Sequence, residues 1–145
     1  MELEQYQKMY LYKRLVQAKL FIDQHYAEAI DLSNIADEAH FSKFHFIRLF
    51  KAIYGKTPHH YLTQVRIDNA KLLLIKNMPV TEVSLSVGFD STTSFTGLFK
   101  KVVGITPSAF QRQQQVRQLS ITANPLQFVP NCFAETYGWT KNSNF

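Results

Sequence analysis

The sequence lacks the features that define several protein classes. A single cysteine, Cys132, excludes an intramolecular disulfide and fits a reducing compartment. No stretch approaches the roughly 18 consecutive apolar residues of a membrane span. Met1-Glu-Leu-Glu opens on acids, without the apolar core of a secretion signal, so the expected location is cytoplasmic. No glycine-rich phosphate loop is present. His40/His45 and His59/His60 have no second pair at metal-ligand spacing. Cys132 stands in Pro-Asn-Cys-Phe with no histidine nearby. No enzyme, cofactor or metal is therefore expected.

Acidic residues are the scarcer charge. Eleven Asp and Glu stand against sixteen Lys and Arg, a formal net charge of +5. The excess is concentrated. Between Lys43 and Lys76 lie Lys43, Arg48, Lys51, Lys56, Arg66, Lys71 and Lys76 with Asp68 as the only acid, whereas Asp31, Asp37 and Glu38 precede that stretch. Segregation of this kind marks a basic face suited to a polyanion. A hydrophobic content of 46% is that of a folded chain.

The chain also repeats itself. Leu32/Val80, Ile35/Val83, Ala39/Val87 and Phe41/Phe89 match at a separation of 48. After one inserted residue, Phe46/Phe95, Leu49/Leu98, Phe50/Phe99, Lys51/Lys100, Gly55/Gly104, Thr57/Thr106, Pro58/Pro107 and Tyr61/Phe110 match at 49. A two-copy pattern ending in Gly-x-Thr-Pro means one supersecondary unit used twice.

Each copy reads as a short helix, a tight turn and a longer helix. In the first, Asp31 caps Leu32 to about Ala39, His40-Phe41 turns, and Ser42 caps a helix placing Phe46, Leu49, Phe50 and Ile53 on its buried side up to Gly55. The second runs from Val80 to Val87, turns at Gly88-Phe89, and restarts near Ser91 to end at Gly104. Thr57-Pro58 and Thr106-Pro107 each read as an N-cap followed by Pro at the first helical position. The helix opened by Pro58 should reach about Lys76, with Leu62, Arg66, Ala70, Leu73 and Leu74 along one side and Asn77-Met78-Pro79 stopping it. Before the first copy, a helix around Leu11–Tyr26 offers Leu15, Ala18 and Ile22. The expected fold is all-α, about seven helices without a sheet. Its parts are an extension 1–11, a first helix-turn-helix subdomain 12–57 (motif about 32–54), a linker helix 58–77, a second subdomain 78–114 (motif about 80–103) and a tail 115–145.

A helix-turn-helix reads DNA with its second helix, which packs by one face and enters the major groove with the other. In the first copy Lys43, Phe44, Ile47, Arg48 and Lys51 fall opposite the core side. Phe44 and Ile47 can pack on thymine methyl groups, and Arg48 can donate two hydrogen bonds to guanine. The second copy offers Thr92, Thr93, Thr96, Gly97 and Lys100, a smaller face that promises weaker readout. A stiff linker of about 28 Å suits two successive grooves about 34 Å apart on one side of a duplex.

Leu-Ser-Asn-Ile-Ala (32–36), Ser-Lys-Phe-His-Phe-Ile-Arg-Leu-Phe-Lys (42–51), Tyr-Leu-x3-Arg-x3-Ala-x2-Leu-Leu (61–74), Val-Thr-Glu-Val-x3-Val-Gly-Phe (80–89), Phe-x3-Phe-Lys-Lys (95–101) and Gly-Ile-Thr-Pro-Ser-Ala-Phe (104–110) together resemble the DNA-binding domain of AraC/XylS transcription activators of bacteria. The resemblance covers about residues 12–114. It implies two helix-turn-helix units in adjacent major-groove segments and recruitment of RNA polymerase. Base readout then falls on Phe44, Ile47 and Arg48 and on Thr92, Thr93 and Thr96. Phosphate contacts fall on Ser42, Lys43, Lys51, Lys56, Ser91, Lys100 and Thr106. Gly97 departs from the arginine that members often carry there. Most members have a separate ligand-sensing or dimerisation domain, for which the flanking segments are too short. The expectation is a stand-alone member able to span a full site as a monomer, or else a fragment of a longer protein.

Residues 115–145 break the repeat. Gln111-Arg112-Gln113-Gln114-Gln115 closes the last helix in polar residues, and Phe128, Phe133, Tyr137, Trp139 and Phe145 follow among Pro, Asn and Gly. Aromatics are sparse in disordered tails. Docking of the tail on the domain with Trp139 buried is one reading, and a partner-binding strip or disorder are the others. For the whole chain, the alternatives to a sequence-specific regulator are a protein-interaction module or a non-specific nucleic-acid binder on the same fold.

Overall fold

The computed structural model describes residues 1–30, 33 and 43–123. The expected helix over 32–39, its Asp31 cap, the His40-Phe41 turn, Ser42, and the tail beyond Ala123 with Cys132 and Trp139 lie outside the described residues. Among those described there are six helices and no strand. They are α1 (Glu2–His25), α2 (Lys43–Tyr54), α3 (Pro58–Ile75), α4 (Val80–Ser86), α5 (Thr92–Val103) and α6 (Pro107–Ala123). None is long and apolar enough to cross a membrane.

The repeat is built in three dimensions as two cores. The first gathers Leu15, Ala18 and Ile22 of α1, Phe46 and Phe50 of α2, and Leu62 of α3. The second gathers Ile67, Ala70 and Leu74 of α3, Val83 and Val87 around α4, and Phe95 and Phe99 of α5. In both, an opening helix buries residues spaced i, i+3, i+7, which is one stripe of an α-helix. Leu15-Ala18-Ile22 does this in the first unit and Ile67-Ala70-Leu74 in the second. Ring geometry repeats as well. Phe50 meets Tyr61 edge-on at 5.8 Å, and Phe99 meets Phe110 edge-on at 5.6 Å, contacts that add to the area buried.

Helix α3 therefore serves two masters. Its N-terminal turns close the first core and its C-terminal turns open the second, on different sides of the helix. For this reason the single stripe expected from spacing is only partly right. Ile67 is fully buried, Leu73 is half-buried, and Arg66 is half-buried with hydrogen bonds of its own.

The helix ends follow local chemistry. Thr57 Oγ1 accepts from the His60 N–H at 3.2 Å ahead of Pro58, and Thr106 Oγ1 accepts from the Ala109 N–H at 3.2 Å ahead of Pro107. Gly104 ends α5 in the left-handed region at φ +96, donating its N–H to Lys100 O. Asn77 turns the chain out of α3 at φ +65.

Three expectations need correction. Helix α1 starts at Glu2, not near Leu11. Residues 2–10 are all exposed, so no apolar periodicity announces them, but they are good helix formers with Glu2 and Glu4 in the first turn. Helix α6 continues through the glutamines to Ala123. Gln111 faces the fold, and its Nε2 donates to Leu74 O at 3.2 Å and Met78 O at 2.8 Å, satisfying carbonyls at the end of α3. Ile53, assigned to the core, is 39% exposed, as is its counterpart Val102 at 41%. The next residue of each helix, Tyr54 and Val103, packs on the core in their place.

Candidate nucleic-acid interface

Helices α2 and α5 carry the same division of labour at positions 49 apart. Each buries a phenylalanine pair, Phe46 with Phe50 and Phe95 with Phe99, at ring separations of 5.9 and 5.6 Å. The opposite face is open in both. On α2 it presents Lys43, Phe44, Arg48 and Lys51, all exposed, beside a half-buried Ile47. Phe44 is 77% exposed. An aromatic ring so placed gains nothing from the fold and is available to an apolar partner. None of Lys43, Arg48 and Lys51 makes an ion pair with a described residue.

On α5 the equivalent positions hold Thr92, Thr93, Thr96, Gly97 and Lys100. Thr93, Gly97 and Lys100 are exposed, while Thr96 is half-buried. Thr92 is partly turned inward, its Oγ1 lying 3.4 Å from the hydroxyl of the fully buried Ser84 on α4. A Cβ added at Gly97 would meet nothing within 4 Å, so the gap left by this glycine is on the surface.

The residues expected near phosphates divide in two. Lys43, Lys51, Lys56 and Lys100 are exposed cations. Ser91 and Thr106 are instead helix caps. Ser91 Oγ accepts from the Ser94 N–H at 3.1 Å and Thr106 Oγ1 is engaged as described, so what these positions offer an anion is a helix N-terminus with its free N–H groups. Ser42 lies outside the described residues. Of the basic cluster read from sequence, Arg66 does not join the surface. Its Nε donates to Tyr26 O at 2.7 Å and its Nη2 to Glu28 O at 3.0 Å. Burial pulls its guanidinium below the ordinary arginine range, partly opposed by the charge of Asp90. The signal for this role was an arginine within an otherwise apolar stripe.

Two amphipathic helices of equal length, each held by the same aromatic pair and the same capped successor, mark a repeated unit, and in the second one α4, the turn at Gly88 and α5 form a helix-turn-helix. The family model described as "Helix-turn-helix domain" matches residues 35–113. The chain belongs to the AraC family of helix-turn-helix regulators.

Similar AraC-family chains include the MmsAB operon regulatory protein of Pseudomonas aeruginosa, 36% identical over 99 residues, covering 68% of this chain and 32% of that protein. The bifunctional transcriptional activator/DNA repair enzyme AdaA of Bacillus subtilis is 35% identical over 99 residues, covering 68% of this chain and 47% of AdaA. This chain thus spans just under a third of the first relative and just under half of the second. Among solved structures, the DNA-binding domain of the global transcriptional factor AdpA in complex with a target DNA superposes with a TM-score of 0.67 at 28% identity, over 71% of this chain and 94% of that one.

Proposed function

We propose that the protein is a sequence-specific regulator of transcription, acting as an activator, that places α2 and α5 in successive major-groove segments of one duplex. The observation that carries this reading is the paired open face, with Phe44, Arg48 and Lys51 exposed on α2 and Thr93 and Lys100 on α5, each backed by a buried phenylalanine pair. Phe44 and Ile47 meet thymine methyl groups and Arg48 a guanine edge. Thr92, Thr93 and Thr96 read the second segment, with Thr92 the most restrained. Lys43, Lys51, Lys56 and Lys100, with Ser42 and the helix starts at Ser91 and Thr106, hold phosphates and set orientation.

On this reading the partners are double-stranded DNA and RNA polymerase, a monomer spans both half-sites, and the setting is the bacterial cytoplasm. The work done is binding, not catalysis. Selection from a randomised duplex library at near-physiological salt, with sequencing of the bound pool, tests it. Two enriched clusters about one helical turn apart support the reading. One cluster would reduce it to recognition by a single unit. No enrichment by folded protein would favour a protein-interaction role for the same exposed faces.

A further inference from the structure

Besides sharing α3, the two units meet, among the described residues, at the end of α1. Three independent contacts converge there. The Tyr26 side chain packs against both cores. Arg66, from the middle of α3, forks onto the carbonyls of Tyr26 and Glu28 at 2.7 and 3.0 Å, which the end of α1 leaves without helical partners. Gly88, in the turn between α4 and α5, lies against the same segment. A Cβ there would stand 2.9 Å from Tyr26 O and 3.0 Å from Ala27 O, and φ is +97, so both space and backbone demand glycine.

Arg66 also reaches into the second unit. Its guanidinium lies 5.7 Å from the ring centre of Phe89, and Phe89 packs on Phe95 of α5 at 5.2 Å. A short chain of contacts therefore runs from the end of α1, through Arg66 and Phe89, to the core side of α5. None of these groups lies on the open faces of α2 or α5.

We infer that Arg66, working with Gly88, is a positioning residue that sets the spacing and relative rotation at which the two helices α2 and α5 accept their half-sites. This rests on the two-groove reading above. Adding one base pair between half-sites moves the second by about 3.4 Å and rotates it by about 34°. A rigid junction cannot absorb that shift, whereas a loosened one can, at the cost of effective concentration for the second contact.

The test uses duplexes carrying the selected half-sites at their preferred spacing and at one and two base pairs more or less, together with a duplex holding only the α2 half-site. The full chain should lose about tenfold or more in affinity at each altered spacing. Arg66→Met, which keeps the aliphatic stem, should bind the preferred spacing several-fold more weakly and show an off-spacing loss of only about threefold. Its affinity for the α2 half-site alone should be unchanged. Arg66→Gln, retaining a single donor, should fall between the two and serves if the Met variant fails to fold. A variant with the full chain's spacing profile overturns the inference while leaving the two-groove reading intact. Equal loss on the isolated α2 half-site overturns it too, because the effect is then on the fold of the first unit. Absence of any spacing preference in the unaltered chain overturns both.

Discussion

The first and second units of this protein share a scaffold and differ in what they hang on it. Phe46 and Phe50 correspond to Phe95 and Phe99, Thr57-Pro58 to Thr106-Pro107, and Tyr61 to Phe110 in position and in ring geometry. The open faces diverge at every position except the pair Lys51/Lys100. Lys43, Phe44, Ile47 and Arg48 stand where the second unit has Thr92, Thr93, Thr96 and Gly97. Packing tolerates little change in volume, so duplicated cores stay alike, while a solvated face is free to take up a different readout. On the proposed reading, the first unit is then the stronger base reader.

The largest effects should come from the shared part. Phe50→Ala and Phe99→Ala should each cost about 3–5 kcal/mol in denaturant unfolding, because each ring is fully buried against a second phenylalanine. A much smaller loss for one would show that its core collapses around the gap and that the units are not packed alike.

The open faces should respond unequally. Arg48→Ala should weaken binding to the selected site by about 1–3 kcal/mol and relax the preference at one base pair. Equal losses on selected and scrambled duplexes would reassign Arg48 to phosphate. Gly97→Arg restores the arginine at the equivalent position of α5 and meets open space. It should tighten binding and remove a helical glycine worth about 1 kcal/mol against stability, and an unchanged melting temperature would count against the latter.

A smaller difference separates the closing helices. Tyr61 Oη donates to Asp23, which also pairs with Lys19 at 2.9 Å, whereas Phe110 has no hydroxyl. Tyr61→Phe should cost about 0.5–1.5 kcal/mol. Burial, then the hydrogen bond to Asp23, raises the Tyr61 pKa above its ordinary value of 10.0. A raised folded-state pKa means that this stabilisation is complete below pH 10 and is lost as pH rises through the folded value. Lys19, raised chiefly by its bond to Asp23, adds in the same direction. Stability measured from pH 9 upward should therefore fall more steeply for the natural chain than for Tyr61→Phe, and parallel curves would refute the coupling. Smallest of all, Lys51→Ala and Lys100→Ala should each lower the salt slope of binding by about one. An unchanged slope for either would remove it from the phosphate contacts.

Much of this was legible along the chain. Caps, glycine turns and the phenylalanine pairs act over three to four residues, so their spacing is written locally. The open faces followed from the same periodicity, being what remains when the buried side is assigned. Residues 2–10 of α1 and the last turns of α6 escape the sequence reading because exposed helix lacks an apolar stripe. Propensity and end charges alone carry it, and both are weak signals.

What the sequence by itself determined is therefore the duplicated unit, its helix ends and the chemistry offered on each open face. Tertiary structure alone decided what braces the two units beyond the helix that links them. Arg66 finds its acceptors 38 and 40 residues away, Tyr26 divides its ring between two cores, and Gly88 is needed because another stretch of backbone lies against it. Those contacts join residues far apart in the sequence, so no local spacing announces them. A basic side chain counted with the surface cluster then proves to be the half-buried fork that holds the end of α1, because free helix-terminal carbonyls attract a cation wherever the fold brings one within reach.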